Sequence, residues 1–200
     1  KDHPLLVGPF SIPFSGRVSK EELLKHAHTL EHLPNAMPLC PSYYKKDWHL
    51  GLPSNFLQNL PDEEFEVHID SSFDPNGNLC IGEMILPGET EEEILISTYL
   101  CHPYMANDNI SGVVTCAELF KILQETGPHY YTYRLVILPE TIGSITWLYH
   151  HQEESKKIKG GFAVTCCGDR GKLTLKKTWD GETWIDRSAL KALKDFNHDH

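Results

Sequence analysis

No apolar run in this 200-residue chain approaches the roughly 20 residues that a membrane-crossing helix needs, so a spanning segment is not expected. A basic excess is also missing. Lys and Arg number 18 against 28 Asp and Glu, and the formal net charge of −10 argues against a nucleic-acid surface. The lysine pairs Lys45-Lys46, Lys156-Lys157 and Lys176-Lys177 are scattered and form no stripe. No CxxC pair occurs among the six cysteines, which speaks against a structural zinc site built from cysteines alone. Nothing reads as a secretory leader, so free thiols and a cytoplasmic setting are expected. The chain opens on Lys1 and not on Met, so a processed or cut N-terminus is expected.

What remains is ordinary globular material, 40% hydrophobic and 23% charged, enough for one domain or a domain with a subdomain. The rest of the chain is organised around residues 93–112. Ile94 to Leu100 is rich in β-branched and aromatic residues and reads as a buried strand. Pro103 cannot donate to a sheet ladder, so the strand should stop there. A polar loop, Met105 to Asn109, leads to Ser111-Gly112. Val113, Cys116, Ala117, Phe120 and Leu123 then recur at helical spacing. His102 thus sits at a strand's carboxyl end and Asp108 at a helix start. Ligands of open α/β sheets bind outside the carboxyl ends of strands, and an imidazole with a hard carboxylate suits zinc. For these two residues alone a plainer reading is open: Asp108 or Asn109 caps the helix, and His102 is a hydrogen-bonded loop residue.

Elsewhere, Ser19 with Glu22 is a capping box that opens a helix over Leu23, Leu24, Ala27 and Leu30. His28 and His32, four apart, could share a face there, with solvated side chains as the simpler reading. Tyr43, Tyr44 and Trp48 fall in a proline-rich connector, where packing is the expected role. Ser54 to Leu60 reads as a short helix. Phe65 to Ile69 alternates like a half-buried strand, and Leu79 to Leu86 reads as another; an antiparallel hairpin of the two is expected. Further strands are expected at Tyr131–Leu138, Gly161–Cys167 and Lys172–Thr178, and helices at Ser144–Glu153 and Ile185–Phe196. Strands alternating with helices predict a three-layer α/β fold, its sheet largely parallel and covered on both faces. His102, Asp108, Glu140 and Asp169 all fall at or just after the carboxyl ends of successive buried strands. Four zinc-competent groups on one sheet edge are a site hypothesis.

From about Glu64 to Asp169 the chain resembles the co-catalytic zinc aminopeptidases, the group of bacterial leucyl aminopeptidases and glutamate carboxypeptidases. The likeness rests on Asp108-Asn109-Ile110-Ser111-Gly112, on the strand-end His102 before it, and on the later strand-end Asp169. It is closer still to a bacterial subfamily of aminopeptidase-like domain proteins. Cys-His-Pro at Cys101, Ala-Asn-Asp-Asn-x-Ser-Gly at Ala106, Pro-Glu-Thr-Ile-Gly-Ser at Pro139 and Cys-x-Gly-Asp at Cys166 all match. The resemblance implies one or two zinc ions on His102, Asp108, Asp169 and Glu140. It implies that residues 1–52 are the end of a small nested β-rich domain with its connector. Residues 53–200 would be a zinc aminopeptidase-like domain, truncated at both ends. Two departures stand out. The family uses tandem glutamates, a base and a ligand, whereas here Pro139 precedes a single Glu140. The family's final His ligand has no counterpart at His198 or His200.

The reading that follows is a zinc-dependent aminopeptidase-type hydrolase, with Glu140 as the general base and a peptide or aminoacyl small molecule as substrate. The rival is a non-catalytic module that keeps the scaffold and binds a metal, peptide or sugar-linked amine without hydrolysis.

Overall fold

The computed structural model describes residues 3, 5–42, 44–101 and 105–196. Two compact units divide the chain, Lys1–Gly77 and Asn78–His200. Among the described residues no helix is long and apolar enough to cross a membrane.

In the first unit, β1 (Phe14–Ser19) pairs antiparallel with β4 (Glu64–Ile69), Phe14 opposite Ile69 and Ser19 opposite Glu64. Between them lie α1 (Lys20–His26), the two-residue parallel pair β2 (Ala27–His28) and β3 (Leu50–Gly51), and α2 (Ser54–Gln58). The Ser19 hydroxyl caps α1 by accepting from Glu22 N at 3.2 Å. Leu23, Trp48, Leu50, Val67 and Ile69 build the core. Trp48 packs as expected, stacked on His26 with ring centroids 3.8 Å apart, whereas Tyr44 is exposed and Tyr43 lies outside the described residues. The helix stops at His26, so His28 and His32 do not share a helical face. His28 instead meets His49, Nε2 to Nδ1 at 3.0 Å.

The second unit holds a four-stranded sheet in the order β5 (Gly82–Leu86), β7 (Thr132–Leu138), β6 (Glu93–Tyr99), β8 (Ile158–Ala163). The last three run parallel and β5 is antiparallel at the edge. The sheet is thus mixed and largely parallel. The expected hairpin of residues 65–69 with 79–86 does not form; these strands pair with β1 and β7 respectively.

Helix α3 (Ser111–Thr126) follows β6, while α4 (Ile142–His150) and the short α5 (Gln152–Ser155) follow β7. Strand side chains alternate between faces. Accordingly Ile96 and Leu135 pack with Cys116 and Phe120 of α3, and Val136 and Leu138 pack with Trp147 of α4. Helices therefore cover both faces. On the α4 face, Arg134 forks onto Glu93 (Nε to Oε2 2.5 Å, Nη2 to Oε1 2.8 Å) and reaches Glu83 Oε1 at 2.7 Å.

Strand β8 ends earlier than the apolar run to Cys167 suggests. Val164 N makes a last ladder bond to Ser97 O at 2.9 Å, and Cys166 takes a positive φ of 52° that turns the chain out of the sheet. Lys172–Thr178 forms no strand despite its alternation. Helix α6 (Trp184–Asp195) matches expectation, with Asp186 in its first turn completing a capping box with Thr183.

Candidate functional site

The carboxyl ends of β7, β6 and β8 lie side by side, with β6 between the other two. The chain goes from β6 to its neighbour β7 and then returns to β8 on the other side of β6. Strand order thus reverses at β6, the place where open α/β sheets bind ligands. Glu140 stands two residues past the end of β7, where Leu138 faces Tyr99 in register. Its side chain is exposed, and its carbonyl accepts from Ile142 N at 2.6 Å in the turn that starts α4. His102 lies outside the described residues.

The irregular turn Ala106–Ile110 sits between β6 and α3. Asp108 and Asn109 depart from helical dihedrals there, and the peptide between them is cis. Asn109 is the pivot. It is 1% exposed, and its amide donates to Thr98 Oγ1 at 2.8 Å and Tyr99 O at 3.0 Å. Its Oδ1 accepts from Gly112 N at 3.2 Å and Cys166 N at 3.0 Å. Both donors and both lone pairs are used, as burial demands. The cap position of α3 is Ile110, which has no side-chain cap bond; Asn109, one residue earlier, reaches the first turn through Gly112 N, and Asp108 bonds Tyr99 instead. Gly112 is required by this approach, since a Cβ would lie 2.5 Å from Asn109 Oδ1 and 2.7 Å from Thr98 Oγ1.

The neighbouring side chains tie the turn to the loop after β8. The Ser111 hydroxyl donates to Asn107 O at 2.6 Å and accepts from Cys167 N at 3.0 Å. Asn107 Oδ1 accepts from Gly168 N at 2.7 Å, and its Nδ2 donates to Asp169 Oδ2 at 3.3 Å. Asp169 Oδ1 accepts from Gly171 N at 2.6 Å. Asp108 Oδ1 accepts a short bond from the Tyr99 hydroxyl, which itself accepts from Thr165 Oγ1 at 2.8 Å. Burial first, and then the bond to the Asp108 carboxylate, push the Tyr99 phenol far above its ordinary range, so it stays a donor at neutral pH. Beneath the turn, burial pushes the Cys116 thiol up to about 11, with Cys167 adding to the rise, which makes it a packing group and a poor nucleophile.

The structure thus links Asp108 to Tyr99 and Thr165, links Asp169 to Asn107, and sets Glu140 just past the end of the neighbouring β7. Sequence reasoning missed Tyr99 and Thr165, and it named Asn107 and Ser111 only as members of the Ala106–Gly112 motif, with no role of their own. The one available signal was the density of polar residues from Asn107 to Ser111 between a buried strand and a buried helix. Among the described residues, the partners of Asp108 and Asp169 are neutral donors and no cation pairs with either carboxylate. Uncompensated hard oxygen donors fit a divalent cation in kind. In number they do not suffice: among the described residues no three His, Cys, Asp or Glu side chains gather as a metal site. A zinc set needs about four ligands, so His102 would have to contribute.

Residues 25–200 match the family described as a domain of unknown function, DUF4910. The chain is similar to a Clostridium acetobutylicum protein provisionally named as a polysaccharide biosynthesis protein with aminopeptidase-like domain. Identity is 41% over 193 residues, covering 96% of this chain and 44% of that protein. It is also similar to the crystal structure of a protein from Clostridium acetobutylicum provisionally called a peptidase. There the TM-score is 0.91 at 40% identity, over 98% of this chain and 46% of the other. This chain spans less than half the length of these relatives.

Proposed function

The chain belongs to the DUF4910 family, and from that premise we propose that it carries the active centre of a zinc-dependent aminopeptidase-type hydrolase. The observation behind this reading is how Asp108 and Asp169 are each held, the first by Tyr99 and the second by Asn107 and Gly171. Both lie at the strand-reversal edge, held by neutral donors and, among the described residues, without a cationic partner, as carboxylates awaiting a cation would be. The peptidase wording attached to a structure with a TM-score of 0.91 supports it.

In this reading His102, Asp108 and Asp169 hold one or two zinc ions, with Glu140 a ligand or the base. Zinc, when bound, supplies Lewis acidity that polarises a scissile carbonyl and acidifies water. Glu140, on the neighbouring strand end, takes the proton of the attacking water on its carboxylate and hands it to the leaving amine. The substrate is a peptide or aminoacyl compound with a free N-terminal residue. A non-catalytic binding role has one observation in its favour: Pro139 precedes Glu140, so a single carboxylate must serve where the resembling enzymes use two.

Glu140→Gln in the full-length protein separates these. Zinc content and turnover of aminoacyl anilides are measured together. As the base, the variant should keep zinc while its rate falls by about 10²–10⁴. As a ligand, it should lose zinc and rate together. A wild type that holds zinc but turns over no aminoacyl anilide would favour the binding module. Unchanged zinc and unchanged turnover would remove Glu140 from the chemistry and sink the enzyme assignment at its centre.

A further inference from the structure

We propose that Tyr99 is a positioning residue for Asp108, and that Thr165 orients Tyr99 in turn. This rests on the zinc reading above and goes beyond it, because neither residue belongs to the motifs that suggested a metal.

The geometry sets the roles. Tyr99 is the last residue of β6 and half-buried, which puts its backbone in the sheet ladder at the carboxyl edge. That hydroxyl donates to Asp108 Oδ1 on the irregular turn. It accepts from Thr165 Oγ1, at 2.8 Å, on the loop after β8. A phenol O–H has one proton. Thr165 Oγ1 also lies 3.3 Å from Cys166 Sγ, but the phenol oxygen at 2.8 Å is the closer and better acceptor of its one proton; with that proton on the phenol oxygen, the Tyr99 proton is directed to the carboxylate. Asp108 gains a fixed rotation about its Cβ–Cγ bond, with Oδ1 taken by the phenol and Oδ2 left without a hydrogen-bond partner among the described residues. A ligating carboxylate pinned in this way has less rotational freedom to lose when a cation binds. The chain Thr165–Tyr99–Asp108 also joins three segments, so the carboxylate is set only when the end of β8 is seated beside β6. Asn107 treats Asp169 likewise, but over a longer 3.3 Å bond from an amide.

The test uses Tyr99→Phe, which keeps the ring and removes the O–H, with Thr165→Val and the double variant. Zinc affinity of the folded full-length protein is read by competition with a chromophoric chelator, and far-UV circular dichroism checks folding. Loss of a hydrogen bond to a metal-ligating group typically weakens binding about 10–100-fold, which is the expectation for Tyr99→Phe. Thr165→Val should weaken it about 3–10-fold. The double variant should match Tyr99→Phe alone, because Thr165 acts only through Tyr99. A structural role would lower the stability of the zinc-free protein and leave the affinity of the folded protein unmoved. Wild-type affinity in Tyr99→Phe, or losses that add in the double variant, would overturn the inference while the zinc reading stands. A wild type that takes up no zinc overturns both. Should Tyr99→Phe fail to fold, Thr165→Val carries the test alone: no loss of affinity overturns the proposal.

Discussion

Replacing Asn109 by Asp changes one NH2 to an oxygen and nothing in shape, yet the structure gives it a large and pH-dependent cost. Both acceptances, from Gly112 N and Cys166 N, survive. Both donations, to Thr98 Oγ1 and Tyr99 O, are lost. An anionic oxygen would then face a carbonyl at a site that is 1% exposed, next to Asp108. The carboxyl escapes part of this by taking a proton, which restores one donation. The protonated variant therefore costs about 1 kcal/mol, one neutral hydrogen bond. Its folded pKa is raised above the ordinary ~3.9, and burial of this degree raises a carboxyl by about 3 units or more.

For an acid with a raised folded pKa, the penalty is smallest below ~4, where both states are protonated. It grows as pH rises, until the folded pKa is passed. At about 1.4 kcal/mol per unit, the destabilisation should be about 2–3 kcal/mol at pH 5 and about 5 kcal/mol at pH 8. Urea unfolding of wild type and variant at both pH values, with chelator present, measures it. A loss that is the same at both pH values, or below about 1 kcal/mol at pH 8, would refute the assignment of Asn109 as a fully used donor and acceptor.

Two more outcomes follow from buried charges away from the sheet edge. Arg134→Met should cost about 3–5 kcal/mol in denaturant unfolding, because it strands Glu93, 4% exposed, without its fork; adding Glu93→Leu should recover most of the loss, and a single variant within 1 kcal/mol of wild type would contradict this. Asp186 accepts from Thr178 Oγ1 and N at 2.5 and 2.8 Å and from Thr183 Oγ1 and N at 2.6 and 2.9 Å, and these bonds, the Thr178 side chain foremost, hold its carboxyl far below the usual range. A depressed folded pKa means stabilisation that is present above ~4 and lost as pH falls below it. The thermal-midpoint gap between wild type and Asp186→Asn should therefore shrink from pH 5 to pH 2, and a constant gap would contradict the capping role.

Strands β6 and β7 and helix α3 were legible because a central parallel strand is buried on both faces and reads as an unbroken apolar run. Pairing was not legible. Alternation in Phe65–Ile69 announces a half-buried strand but not its neighbour, and the turn signal at Asp74–Gly77 made the nearest strand look like the partner. The actual partner, β1, ends at Ser19. Lys172–Thr178 alternates equally well, yet it joins no strand among the described residues and stays irregular. Asp108 and Asp169 were legible as strand-end carboxylates, since position along the chain is enough for that. Their supports were not, because Ser111 meets Cys167 and Tyr99 meets Thr165 across 56 and 66 residues. No local pattern encodes such a contact. His102 lies outside the described residues, so its part in the site rests on the sequence.

The separation of those partners has a temporal side. Thr98 to Val164, Asn109 to Cys166 and Asn107 to Asp169 span 66, 57 and 62 residues. Closing a loop of about 60 residues costs on the order of 3–4 kcal/mol of chain entropy before any one contact returns it. No single bond here is worth that much, so these links gain by forming together. The Thr165 link to Tyr99 and the Asn107 link to Asp169 then form only after β8 has docked beside β6. A chain still emerging from synthesis, with its first half already folded, holds Asp108 alone. In the proposed reading, the centre would be acquired in one late step, after synthesis of both halves of the sheet.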